Sequence, residues 1–82
     1  MKADNIVFKY VKSETPLIGF LVSKKFGKAH ERNLFKRRCR SAFYQRLIRK
    51  DINYSIIIRP SRSPLSWAQI NQSFDLLLEK VS

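Results

Sequence analysis

Residues 20–40 read Phe-Leu-Val-Ser-Lys-Lys-Phe-Gly-Lys-Ala-His-Glu-Arg-Asn-Leu-Phe-Lys-Arg-Arg-Cys-Arg, and a change of period inside this stretch decides the fold. Up to Ser23 the side chains alternate. Ile18, Phe20 and Val22 share one face of a strand, and Leu17, Gly19, Leu21 and Ser23 share the other. From about Ala29 to Lys50 the spacing is helical. Phe35, Cys39, Ala42 and Phe43 recur at i, i+4, i+7 and i+8 and make an apolar stripe. Arg46 interrupts the stripe near its end, where a long stem can snorkel to water. The basic loop Lys24–Lys28, with Gly27 inside it, joins strand to helix.

Before this stretch, Ile6 to Lys12 reads as a strand, with Ile6, Phe8 and Tyr10 on one face and Val7, Lys9 and Val11 on the other. Ser13-Glu14-Thr15-Pro16 reads as a turn, and a short turn between two strands predicts an antiparallel hairpin. Asp51-Ile52-Asn53 ends the long helix. Tyr54 to Arg59 contains Ile56-Ile57-Ile58, a β-branched run suited to a strand covered on both faces. Pro60 to Pro64 reads as a loop. A last helix starts near Ser66, where Ser66 and Gln69 have capping-box spacing. It continues through Trp67, Ile70, Phe74, Leu77, Leu78 and Val81, with Trp67 as a core anchor. The order is strand, strand, helix, strand, helix, and the long crossover predicts a parallel pair within a mixed sheet. The expected class is an α/β (α+β) two-layer sandwich in one domain over residues 1–82.

Charge narrows the function. The 82 residues carry 17 Lys and Arg against 6 Asp and Glu, a formal net charge of +11. Eleven of those cations and one acid, Glu31, lie in residues 24–50. Such a concentration points to a polyanion, above all nucleic acid. Arg32, Lys36 and Arg40 make an i, i+4, i+8 row, with Asn33 and Arg37 beside it. Like charges at that spacing repel by a few tenths of a kcal/mol per pair, and almost no acid is at hand to offset them. A phosphate backbone would. The loop before the helix adds cations and backbone N–H groups where anions are favoured.

Other classes fall away. One cysteine allows no internal disulfide, and one Cys with one His cannot complete a four-ligand zinc site. No apolar run approaches membrane-spanning length, and no signal-peptide core opens the chain. The expectation is a soluble, cytoplasmic RNA binder with no membrane partner. His30 is the sole histidine and the carboxylates show no paired spacing, so no acid–base set emerges. His30 reads as an RNA contact or surface residue, and Cys39 as a small buried hydrophobe.

The stretch from Val22 to Arg40 resembles the signature of the bacterial ribonuclease P protein subunit family. That signature is a Val-Ser-Lys-Lys-x-Gly-Lys-Ala loop, then Arg-Asn-Arg-x-Lys-Arg and a further Arg three residues on. Val22 to Ala29, Arg32-Asn33, Lys36-Arg37 and Arg40 match it, and the likeness runs over roughly residues 6–80. The resemblance implies a ribosomal-protein-like sandwich with a left-handed βαβ crossover, against the general rule. It implies pairing with a catalytic RNA that removes 5′ leaders from precursor tRNA using Mg2+, the RNA doing the chemistry. It places Lys24, Lys25, Lys28, Arg32, Asn33, Lys36, Arg37 and Arg40 against that RNA. It also places the single-stranded leader on the sheet, with Phe8 and Tyr10 as candidate stacking partners. Register decides this last point, because one residue swaps the face. The alternative is a ribosomal or general structured-RNA-binding protein of similar fold.

Two departures stand out. Leu34 occupies the third position of the Arg-Asn-Arg motif, with Arg38 as a nearby substitute. Family members usually begin with a basic segment, an aromatic-bearing helix and one more strand, whereas five residues precede Ile6 here. If that front wall is absent, the expectation is weakened leader binding, retained RNA docking, and an open apolar sheet face that invites association with a partner or weak self-association.

Overall fold

The structure is a computed structural model that describes residues 1–61 and 65–81. A four-stranded sheet is built from β1 (Lys2–Ala3), β2 (Ile6–Lys12), β3 (Ile18–Phe20) and β4 (Tyr54–Pro60) in the order β1-β2-β4-β3. Two helices, α1 (Ala29–Arg46) and α2 (Trp67–Val81), form the second layer. The two-layer mixed architecture is as expected, with a two-residue strand added in front.

The hairpin is not. β2 and β3 do not pair, because β4 lies between them, antiparallel to β2 and parallel to β3. The triple-isoleucine run takes the central place and pairs on both sides, Ile56 with Tyr10 and Ile18, Ile58 with Phe8 and Phe20. The link between β2 and β3 must therefore cross two strand spacings, roughly 10 Å, within the reach of five residues. It crosses over the start of β4. Ser13 N donates to the Asn53 carbonyl (3.0 Å), and Leu17 N donates to Ser55 Oγ (3.1 Å). The parallel pair joined by α1 is as the long crossover predicts.

The core lies between sheet and helices. Ile6, Phe8, Ile56 and Ile58 from the sheet meet Phe35, Cys39, Ala42 and Phe43 of α1 and Ile70, Phe74 and Leu77 of α2. The α1 stripe is buried as its spacing predicts. Ile57, expected to be covered, is exposed, since the helices cover one face of the sheet only. Arg46 carries its head out to the surface, where its Nε donates to the exposed Asp75 Oδ1 of α2 at 2.7 Å. α1 ends at Arg46, and a 3-10 turn (Ile48–Lys50) follows, closed by Asp51 in the left-handed region.

The Ser66 and Gln69 capping box forms, each side chain accepting from the other's backbone N–H (2.8 and 3.2 Å). Trp67 is not a core anchor. It is exposed at the first position of α2, a full turn before the packed face begins at Ile70. Of the loop expected over 60–64, Pro60 closes β4, and residues 62–64 lie outside the described residues.

Candidate nucleic-acid interface

The basic loop is organised by one apolar side chain. In Lys24-Lys25-Phe26, a 3-10 turn, Phe26 is buried against Phe35 of α1 with ring centres 4.9 Å apart. Burying that ring leaves Lys24, Lys25 and Lys28 exposed around it. The loop is then tied to the helix twice. Lys28 N donates to Glu31 Oε1 (3.1 Å), and Arg32 Nη1 donates to the Gly27 carbonyl (2.7 Å). A Cβ on Gly27 would stand 3.0 Å from Glu31 Oε1, so a side chain there would push the Glu31 carboxylate off its place against Lys28 N.

Along α1 the predicted contacts separate. His30, Asn33, Arg37 and Arg40 are exposed, while Arg32 and Lys36 are half-buried. At about 100° per residue, the exposed stripe runs through Asn33, Arg37 and Arg40. Tyr44, not anticipated from the sequence, continues it and is 56% exposed. The signal for it was its spacing, i+7 from Arg37. Arg32 sits on the flank and uses its guanidinium to hold the loop. Leu34 lines a small depression of about 110 Å³ with Phe26, Phe35 and Leu65. It faces protein, which accounts for an apolar residue there. Arg38 borders the same depression and lies about 200° round the helix from Arg40, so it does not join the stripe. Among the described residues the one ion pair is Arg46–Asp75, and the loop and stripe cations carry no acid partner there.

The sheet's open face is the second surface. Rows run across it in register. Lys2, Val7 and Arg59 form the first, Lys9, Ile57 and Gly19 the second, and Val11 and Ser55 the third, next to Leu17. Val11, Leu17, Leu21 and Ile57 are its exposed apolar groups. Depressions of about 390, 250 and 410 Å³ share Leu21 and Arg59, then Lys9 and Ile57. Together they make a shallow trough from Lys25, in the basic loop, to Leu17.

Phe8 and Tyr10 lie on the opposite face, which corrects the expected stacking site. Phe8 is 0% exposed and meets Phe74 edge-on at 5.1 Å. Tyr10 packs against Tyr54 at 5.9 Å and borders the core. The reason is register: Ile6, Phe8 and Tyr10 are the larger apolar set and take the helix side.

Cys39 is buried and burial pushes its thiol pKa well up, only partly offset by the charge of Arg40. It is no nucleophile at neutral pH. Among the described residues no helix is long and apolar enough to cross a membrane.

Known proteins share this sequence pattern and this fold. A family profile described as ribonuclease P matches residues 1–82. This chain belongs to the ribonuclease P family. The ribonuclease P protein component of Pseudarthrobacter chlorophenolicus is 40% identical over 68 residues, covering 80% of this chain and 50% of that protein. That of Phytoplasma australiense is 36% identical over 63 residues, 74% of this chain and 55% of the relative. The chain thus spans about half the length of the curated relatives it matches. An RNase P protein from Thermotoga maritima, solved in complex with 1-(4-fluorophenyl)-2-thiourea, superposes with a TM-score of 0.76. It covers 100% of this chain and 84% of its own, at 22% identity. The Staphylococcus aureus RNase P protein gives 0.72, with 99% and 80% covered, at 28% identity.

Proposed function

We propose that this chain is the protein subunit of a ribonuclease P ribonucleoprotein and assists 5′ maturation of tRNA without carrying the chemistry. The observation that carries this reading is the continuous cationic surface of loop 24–28 and the α1 stripe, unpaired among the described residues and adjoining an open trough on the sheet.

The loop and stripe dock on the enzyme's RNA subunit. Lys24, Lys25, Lys28, Arg37 and Arg40 meet phosphates, releasing counterions, and Asn33 adds a hydrogen bond that fixes orientation. Arg32 keeps the loop in place for them.

The trough takes the single-stranded leader of precursor tRNA. Its cationic row, Lys2 and Arg59, meets the leader's phosphates, and bases lie on Ile57 and Val11 over the low floor left by Gly19. Apolar burial against aliphatic side chains contributes no base-specific hydrogen bond, so a leader of any sequence fits.

Mg2+ belongs to the RNA in this reading. Among the described residues no group of three or more His, Cys, Asp or Glu comes together that could hold a metal ion. The test compares binding of precursor tRNA with and without its leader to the RNA subunit, in the presence and absence of the chain. The chain should tighten binding of the leader-bearing form alone. Equal tightening of both forms would remove the leader from the account.

A further inference from the structure

Arg40 does not extend freely from α1. Its guanidinium carbon lies 5.2 Å from the centre of the Phe20 ring on β3, within cation–π range. The ring is held in turn. Phe20 meets Phe35 of α1 edge-on at 6.4 Å and 72°, and Phe35 meets Phe26 of the basic loop at 4.9 Å. Three rings therefore run from the loop, under the first turns of α1, to the guanidinium of Arg40. Phe35 is buried, Phe20 half-buried and Arg40 exposed.

We infer that Phe20 is a positioning residue that orients the Arg40 guanidinium for an RNA phosphate. The inference rests on the docking role proposed above for Arg40. A guanidinium is planar, and its five N–H donors lie in that plane. The ring offers no oxygen acceptor, and among the described residues the Arg40 side chain makes no hydrogen bond, so its N–H donors stay available for a two-pronged contact with a phosphate. Holding the side chain there before binding reduces the rotamer freedom lost on binding. Because Phe20 and the loop anchor Phe26 both pack on Phe35, one ring cluster links the loop cations to Arg40.

The test is a double-mutant cycle on the full chain, read as affinity for a bacterial ribonuclease P RNA subunit, with melting temperature measured for each variant. Phe20→Leu keeps an apolar group against Phe35 and removes the ring, and Phe20→Met serves if the leucine variant melts early. Either should weaken binding about two- to fivefold, the range of an exposed cation–π contact. Phe20→Tyr should restore it. In an Arg40→Ala background the Phe20→Leu change should have no further effect. A loss that persists in that background would overturn the inference, since the ring would then act without Arg40. So would unchanged affinity in Phe20→Leu while Arg40→Ala binds weakly, which leaves the docking role standing. If Arg40→Ala itself binds normally, the docking role of Arg40 fails and the inference fails with it.

Discussion

Arg32 donates from Nη1 to the carbonyl oxygen of Gly27 at 2.7 Å, closing the basic loop onto the helix that follows it. One arginine of the cationic row thus acts inside the protein, and its neighbour Arg37 is free to act outside. Replacing each by alanine should separate the roles. Arg37→Ala should lower the slope of log affinity against log salt for RNA binding by about 1. Arg32→Ala should weaken binding with a smaller change of slope, because it frees the loop rather than removing a phosphate contact. Equal changes of slope would contradict the division.

Gly27 should be intolerant of a side chain. Gly27→Ala presses a Cβ against Glu31, whose carboxylate accepts from Lys28 N at the start of α1. Loss of such a cap costs about 0.5–2 kcal/mol, and in a domain this small about 1 kcal/mol lowers the melting temperature by roughly 4–8 °C. Gly19→Ala, with 3.7 Å to Ile57 Cγ1, should leave the melting temperature near that of the parent chain. Thermal unfolding of the two variants checks this.

The two faces of the sheet should respond differently to substitution. Phe8→Ala removes a fully buried ring from contact with Phe74 and should cost about 3–5 kcal/mol of stability. Arg59→Ala and Ile57→Ala lie on the open face and should melt much like the parent. They should raise KM for leader-bearing precursor with a smaller effect on a leaderless one. An unchanged KM in both would remove the trough from substrate binding.

Cys39 should make stability fall in alkali. Its thiol pKa is raised in the folded chain, so the unfolded chain loses this proton first as pH rises. The contribution is complete below the unfolded value, near 8.5, and is lost above it at no more than about 1.4 kcal/mol per pH unit. Cys39→Ala should be less stable at pH 7, from the cavity, yet flatter between pH 9 and 10. Thiol-reagent labelling of the parent at pH 8 should follow the unfolding rate.

The Arg46–Asp75 pair should matter little. Its aspartate side chain is 63% exposed, and such pairs contribute about 0–1 kcal/mol. Asp75→Asn should shift the melting temperature by a few degrees at most, and less in high salt.

The helices were legible because their signals are local. The Phe35, Cys39, Ala42, Phe43 stripe and the Ser66–Gln69 cap depend on neighbours within two turns, and both stand in the structure. The pairing of β2 with β4 was not legible, since it joins residues about fifty positions apart and a short turn between β2 and β3 mimics a hairpin. Which face of β2 meets the helices is set by its larger apolar group, Ile6, Phe8 and Tyr10, whereas it is the resemblance, with its register open by one residue, that points Phe8 and Tyr10 to the leader. The cationic character of loop 24–28 and α1 is plain in composition. The clamp that takes Arg32 out of the exposed row needs the loop's folded path, and the Phe20–Arg40 contact needs two elements brought together.

Cleavage of a precursor tRNA by a bacterial ribonuclease P RNA at low Mg2+, with and without this chain, tests the subunit role. Adding the chain should raise the cleavage rate markedly, and the chain alone should cleave nothing. An unchanged rate at chain concentrations that saturate the RNA would contradict that role.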